Sequence, residues 1–257
     1  MMQTIRIQTD ARGVATLWLA RAEKHNALSA QMIDEVTQAA DQLGRDPDVR
    51  VVVLAAEGKS FCAGGDLGWM QDQMQADAAT RRDGAVRLAG MLEALNTLPK
   101  PLIGRVQGNA FGGGVGMIAV CDVAVAVPQA RFGLTETRLG LIPATIGPYV
   151  LARMGEGKAR RVFMSGRIFD AAEAVRLDLL ADVTDDLDAA IAAEVAPCLD
   201  CAPAAVAAAK RLARSLGPRI DQATIDHSIQ ALVSVWEGDE APEGVSAFFA
   251  KRKPRWQ

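Results

Sequence analysis

LIGRVQGNAFGGGVGMIAVCDVAVAV, residues 102–127, holds a whole structural unit. It predicts a strand at 102–107, a glycine-rich turn over Gly108–Gly114, a short helix from about Gly114 and a second strand in DVAVAV, residues 122–127. Neither apolar run alternates with polar residues, as expected of strands buried on both faces of a parallel sheet. Strand, turn, helix and strand in succession imply an α/β core.

The same grammar extends toward the N-terminus. Residues 4–9 and 13–19 predict two strands turned at Asp10-Ala11-Arg12-Gly13. A helix is expected from Ser29, with Met32, Val36, Ala39, Ala40 and Leu43 on one face and a stop at Gly44 and Pro47. VRVVVLAA at 49–56 is another buried strand. Ala85, Leu88, Leu92 and Leu95 form a helical stripe ended by Pro99-Lys100-Pro101. No repeat is strict enough for a solenoid.

Beyond about residue 145 strand patterns nearly vanish. The alanine-rich segment 187–216 and the segment 220–236 predict helices, the latter with Ile225, Ile229, Leu232, Val233 and Trp236 in one stripe. The expected division is therefore an α/β core over 1–195 and a helical subdomain over 196–257. An apolar stripe says only that the face is buried; it packs either on its own core or against another subunit.

With 257 residues the chain is long enough for a large core without disulfide or metal staples. Half the residues are hydrophobic and 23% charged, which excludes a disordered or low-complexity chain. A net charge of -3 disfavours a general nucleic-acid binder. The opening MMQTIRIQTD lacks the apolar run of a signal peptide, and the longest apolar stretch, Val115–Val127, is interrupted by Asp122 and too short to span a bilayer. Four scattered cysteines make no disulfide framework. A cytoplasmic protein without membrane or nucleic-acid partners is expected.

Several motifs fail on inspection. Gly58-Lys59-Ser60 resembles the end of a P-loop, but Val53 stands where its first glycine belongs. Ser165 follows Phe163 at two residues, so no nucleophile elbow is present. Cys198 and Cys201 lack a second ligand pair at zinc spacing. His25 and His227 have no triad context. Two glycine-rich loops remain, Ser60–Leu67 and Gly108–Gly114, each after a strand. Converging, they could hold an oxyanion between two backbone N–H donors; singly, each reads as a tight turn. Glu136, in FGLTETRLGLIP at 132–143, has largely apolar neighbours whose desolvation would raise its pKa toward proton transfer; the alternative is a surface glutamate beside Arg138.

Taken in order, Ala22-x-x-x-Asn26-Ala27-Leu28-Ser29, SFCAGGDL at 60–67, VQGNAFGGG at 106–114, CDVAVA at 121–126, FGLTETRLGLIP, SGRIFDAAEA at 165–174 and FFAKRKP at 248–254 resemble the crotonase superfamily of enoyl-CoA hydratases and isomerases over essentially the full length. The resemblance implies a spiral of ββα units with a C-terminal helical region that builds trimers, often paired into hexamers. It implies an oxyanion hole from the N–H groups of Gly65 and Gly113, and CoA contacts from Lys24, Ala27 and the loop Ala63, Gly65, Asp66 and Leu67. Phe248 and Lys251 would reach CoA across a subunit boundary. Glu136 falls on one family glutamate, whereas Gly116 stands where the other belongs, and Pro143–Tyr149 departs from the usual glycine-rich stretch. These departures resemble the methylglutaconyl-CoA hydratase-like subgroup.

The implied chemistry passes through an enolate whose charge rests on the thioester oxygen. It calls for no metal or redox cofactor, CoA being part of the substrate. The leading expectation is reversible hydration of a branched or carboxylated 2-enoyl-CoA, accommodated in the room left at Gly116. Alternatives are double-bond isomerisation by Glu136 alone, or a weakly catalytic RNA-associated scaffold suggested by the basic tail Lys251–Arg255 and opposed by the net charge.

Overall fold

In the computed structural model, which describes residues 2–257, the expected hairpin forms: β1 (Ile5–Thr9) and β2 (Val14–Leu19) pair antiparallel, Ile5 facing Leu19. Ser29 caps α1 (Ala30–Arg45) by accepting the Met32 N–H at 3.3 Å, and the helix buries Met32, Ile33, Val36, Ala39, Ala40 and Leu43. Gly44 lies inside this helix rather than ending it, since one glycine costs only about 1 kcal/mol. Pro47 is the effective stop, because it holds Asp46 in extended backbone.

The chain then coils. It passes through β3 (Val51–Ala56), β4 (Ser60–Cys62), α2 (Leu67–Gln75) and α3 (Ala78–Thr97). The next turn comprises β5 (Leu102–Val106), β6 (Asn109–Phe111) and α4 (Gly113–Ala119). After β7 (Val123–Ala126) and β8 (Arg131–Gly133) come α5 (Gly147–Met154) and α6 (Glu156–Phe163). β9 (Ile168–Asp170), α7 (Ala171–Arg176) and β10 (Asp182–Val183) close the core, followed by α8 (Leu187–Leu199), α9 (Pro203–Leu216), α10 (Gln222–Trp236) and α11 (Glu240–Phe249).

Successive strand pairs alternate between two sheets. One has the order β1-β2-β3-β5-β7-β10, parallel except for β1; the other runs β4-β6-β8-β9, with only β9 antiparallel. The three middle turns, β3-β4, β5-β6 and β7-β8, each lay one strand in each sheet before their helices, giving the expected spiral of ββα units. β3 is buried at every residue, as its unbroken apolar run requires. The glycine-rich segments expected to be loops contain the three-residue strands β4 and β6, which place the two turns side by side.

The division at 195/196 falls inside α8, whose Leu187, Ile191 and Val195 belong to the main core. The stripe on α10 is covered by its own chain: Ile225, Ile229 and Val233 pack on Ala85 and Ala89 of α3, while Trp236 joins Leu141, Ala241 and Val245. The subunit-interface reading of that stripe is therefore corrected to packing within the chain. Amphipathic α9 instead buries no residue and leaves Leu212 and Leu216 exposed. Among the described residues no single helix is long and apolar enough to cross a membrane.

Candidate active site

The two glycine-rich turns meet around Leu28. Its N–H donates to the Gly64 carbonyl at 2.8 Å and its own carbonyl accepts from Asp66 N–H at 3.0 Å, an isolated parallel bridge centred on Gly65. In such a bridge the flanking residues carry both bonds, so the N–H of Gly65 points away. The Gly113 N–H opens α4, where the first helical N–H groups have no intrahelical acceptor and Gly112 has no side chain to cap them. Among the described residues, neither donor has an acceptor. A Cβ on Gly113 would stand 2.5 Å from Leu28 Cδ1, so the helix start is pressed against the side chain that bridges Gly65.

Glu136 comes to the same place. It opens a 3-10 turn, Glu136–Leu139, and its carbonyl accepts from Leu141 N–H at 3.0 Å. Gly112 has φ +48° and ψ -115°, a conformation essentially confined to glycine, and a Cβ there would lie 3.0 Å from Glu136 Oε1 and 3.8 Å from Gly64 Cα. One carboxylate and both turns therefore converge on Gly112. Glu136 Oε2 is sealed from solvent and has no hydrogen-bond partner. That burial raises the carboxyl from 4.5 to about 7, opposed only by a backbone hydrogen bond within the residue. The alternative of a solvated glutamate paired with Arg138 is not what the structure shows: among the described residues Glu136 has no salt-bridge partner.

The other expected residues divide by position. Lys24 is exposed in the turn before Ala27, and Ala63 is tied to that segment by its N–H donating to the His25 carbonyl at 3.0 Å. Asp66 caps α2, accepting from Gly68 and Trp69 N–H groups, and Leu67 stands exposed beside it. Phe248, 48% exposed, sits at the end of α11, and exposed Lys251 lies just beyond it. α11 does reach the Glu136 turn: Cβ atoms on Gly140 and Gly244 would meet the Glu240 and Leu139 carbonyl oxygens at 2.4 Å.

Gly116 requires a correction. It is buried, and a Cβ there would lie 2.5 Å from Ile146 Cγ2 and 3.6 Å from Leu92 Cδ2. The room inferred from this glycine is filled by Ile146, so Gly116 does not open space for an acyl chain. Sequence reasoning also gave no role to Asn26 and Arg21. Asn26 is wholly buried with φ +52°; its Nδ2 donates to the Glu57 and Ser60 carbonyls, and its Oδ1 accepts from Arg21 N–H. A lone asparagine amid polar residues signals a left-handed turn at most.

A two-sheet spiral of ββα units with these turns is the crotonase fold. The chain belongs to the enoyl-CoA hydratase/isomerase family, whose model matches residues 9–257. It is similar to a crystallised enoyl-CoA hydratase from Shewanella pealeana: 39% identity, TM-score 0.83, covering 100% of this chain and 97% of that one. An enoyl-CoA hydratase from Mycobacterium avium gives 31% identity and TM-score 0.86, with 100% of both chains covered. One from Mycobacterium smegmatis gives 34% identity and TM-score 0.80 over 99% of each. The protein is accordingly an enzyme of the enoyl-CoA hydratase type.

Proposed function

We propose that the enzyme reversibly hydrates a branched or carboxylated 2-enoyl-CoA, with Glu136 as its proton-transfer group and the N–H groups of Gly65 and Gly113 as its oxyanion hole. The observation that carries this reading is the meeting of one half-buried carboxylate, its Oε2 sealed and unpartnered, with two turns whose N–H groups lack acceptors. Glu136 takes a proton from water as its oxygen bonds to C3. The electron pair of the C2–C3 double bond moves to the thioester oxygen, where the two donors hold the enolate. The carboxylic acid then returns the proton to C2. A carboxyl held near 7 can serve as base and acid in turn at neutral pH. Losing one oxyanion donor would cost about 3–4 kcal/mol of transition-state stabilisation.

Gly116 and the filled space beside it leave Glu136 as the one carboxylate in this reading. A polar group on the acyl chain would supply the second contact to water, which favours carboxylated substrates of the methylglutaconyl-CoA type. The same single carboxylate supports a second reading, double-bond isomerisation, in which it moves a proton between C2 and C4. CoA enters as part of the substrate, along Lys24, Ala27 and the Ala63–Leu67 loop, and the chemistry needs no metal or redox cofactor. We also place the enzyme in the cytoplasm as a homotrimer or hexamer without nucleic-acid or membrane partners; the exposed leucines of α9 support self-association. A panel of enoyl-CoA thioesters, read for hydration and isomerisation, tests the function. A carboxylated or branched substrate should exceed crotonyl-CoA in kcat/KM by at least about tenfold. Glu136→Gln should lower turnover on the best substrate by about 10²–10⁴. Fast hydration of crotonyl-CoA would overturn the substrate class, and near-normal turnover by Glu136→Gln would overturn the assignment of the carboxylate.

A further inference from the structure

Gly65 is held on both sides by hydrogen bonds made by its neighbours in the chain. A Cβ there would make only ordinary contacts, 3.6 Å from Trp69 and Met70, and the bonds either side of Gly65 fix the direction of its N–H. One is the bridge to Leu28 already described. The other is a half-buried ion pair: Arg21 Nη2 donates to Asp66 Oδ2 at 3.1 Å, the two side chains being 18% and 17% exposed. The second arm of the guanidinium, Nη1, donates to the Ala27 carbonyl at 3.0 Å. One planar group therefore grips both strands of the Leu28–Gly65 bridge, next to Leu28 on one side and next to Gly65 on the other.

The carboxylate is divided to match. Asp66 Oδ1 caps α2 through Gly68 and Trp69, which leaves Oδ2 for Arg21. The Arg21 backbone is itself anchored, its N–H donating to Asn26 Oδ1 at 2.9 Å and its carbonyl accepting from Lys24 and Asn26 N–H groups. Such a brace has a planar fork at one end and a helix cap at the other, a geometry an ammonium on a flexible stem does not reproduce. Partial screening by solvent limits its worth to overall stability. Its geometric effect is local, because it ends one residue from the proposed oxyanion donor.

We infer that Arg21 is a positioning residue of the reaction, aiming the Gly65 N–H at the thioester oxygen through Asp66. This rests on the proposed role of Gly65, so the test separates the two. The thioester carbonyl stretch of the best bound enoyl-CoA of the panel is followed by difference infrared spectroscopy in the wild type, Arg21→Met, Arg21→Lys and Asp66→Asn, alongside kcat and KM. A downshift in the wild type shows donors on the carbonyl; its absence overturns the oxyanion reading itself. Given a downshift, Arg21→Met should lose part of it and drop kcat between about 10- and 100-fold, while KM changes less than about threefold. Arg21→Lys should recover part of both, and Asp66→Asn should resemble Arg21→Met in direction. A folded Arg21→Met with the wild-type carbonyl frequency and kcat overturns the inference. Should Arg21→Met fail to fold, the same readout on Arg21→Lys and Asp66→Asn decides: unchanged frequency and kcat in both overturn it.

Discussion

Exchanging Gly116 for alanine should have opposite effects in two backgrounds. In the native protein the new methyl would sit 2.5 Å from Ile146 Cγ2 and 2.9 Å from its Cβ. Carbon pairs favour about 3.5–4.0 Å, so one group must retreat by about 1 Å inside a packed core. Overpacking of this kind costs about 1–3 kcal/mol. Against it stands the helix preference of alanine over glycine, up to about 1 kcal/mol, because Gly116 lies within α4. The balance is a loss of about 1 kcal/mol, reaching 2 if Ile146 cannot turn aside. Ile146→Gly removes the obstruction at a cost of at least about 2–5 kcal/mol for the emptied space. In that background the methyl at 116 meets only Leu92, at an ordinary 3.6 Å, and the helix preference stands alone. Gly116→Ala should then stabilise by about 1 kcal/mol, giving a coupling energy of about 2 kcal/mol between the sites. Equilibrium urea unfolding of the four proteins at one protein concentration measures it. The same sign and size of effect in both backgrounds would refute the packing of Ile146 against Gly116.

The Glu136 carboxyl should leave a mark on the pH dependence of stability. Burial raises it from 4.5 to about 7, so the folded protein keeps a proton there that the unfolded chain releases. Its contribution is whole below pH 4.5 and lost as the pH rises through 7. Glu136→Gln cannot ionise, so its unfolding free energy relative to the wild type should climb across that interval by about 3 kcal/mol; a flat difference contradicts the shift. Asn26→Asp replaces two donated hydrogen bonds, at 2.8 and 2.9 Å, by a carboxylate facing two carbonyls, and should cost about 2–4 kcal/mol in thermal or urea unfolding. Retention of wild-type stability would exclude those bonds as supports of the turn. Phe248→Ala combined with Lys251→Glu alters only exposed side chains and should weaken CoA binding by about tenfold or more in calorimetry. Unchanged affinity would remove α11 from the CoA site.

The strands of the larger sheet are legible because β3, β5 and β7 are buried on both faces and so write continuous apolar runs. β4, β6 and β8 are not. Each has three residues, too few to show a period, and the glycines within or after them make them look like loops. Glu136 is visible from its apolar neighbours in the chain, Leu134 and Leu141 among them, both buried in the fold. The space at Gly116 is different in kind. Its occupant, Ile146, comes from the start of another helix, and nothing near Gly116 in the chain announces it. The stripe on α10 announces burial but not by what; its partner, α3, lies far upstream. Arg21 and Asp66 are likewise ordinary surface letters until the fold brings residues 21 and 66 together.

The interlock of Gly140 with Glu240, and of Gly244 with Leu139, joins the turn that begins at Glu136 to a helix about a hundred residues further on. During synthesis the spiral core can form strand by strand as the chain emerges, since each turn pairs with the one before it. The seat of Glu136 follows a later schedule, because the helix that clasps its turn is made after the strands of the spiral core. A nascent chain halted before residue 240 would carry both glycine-rich turns and the carboxylate without the clasp on the turn that begins at Glu136. Assembly of the site thereby waits for α11, about a hundred residues after the carboxylate it seats.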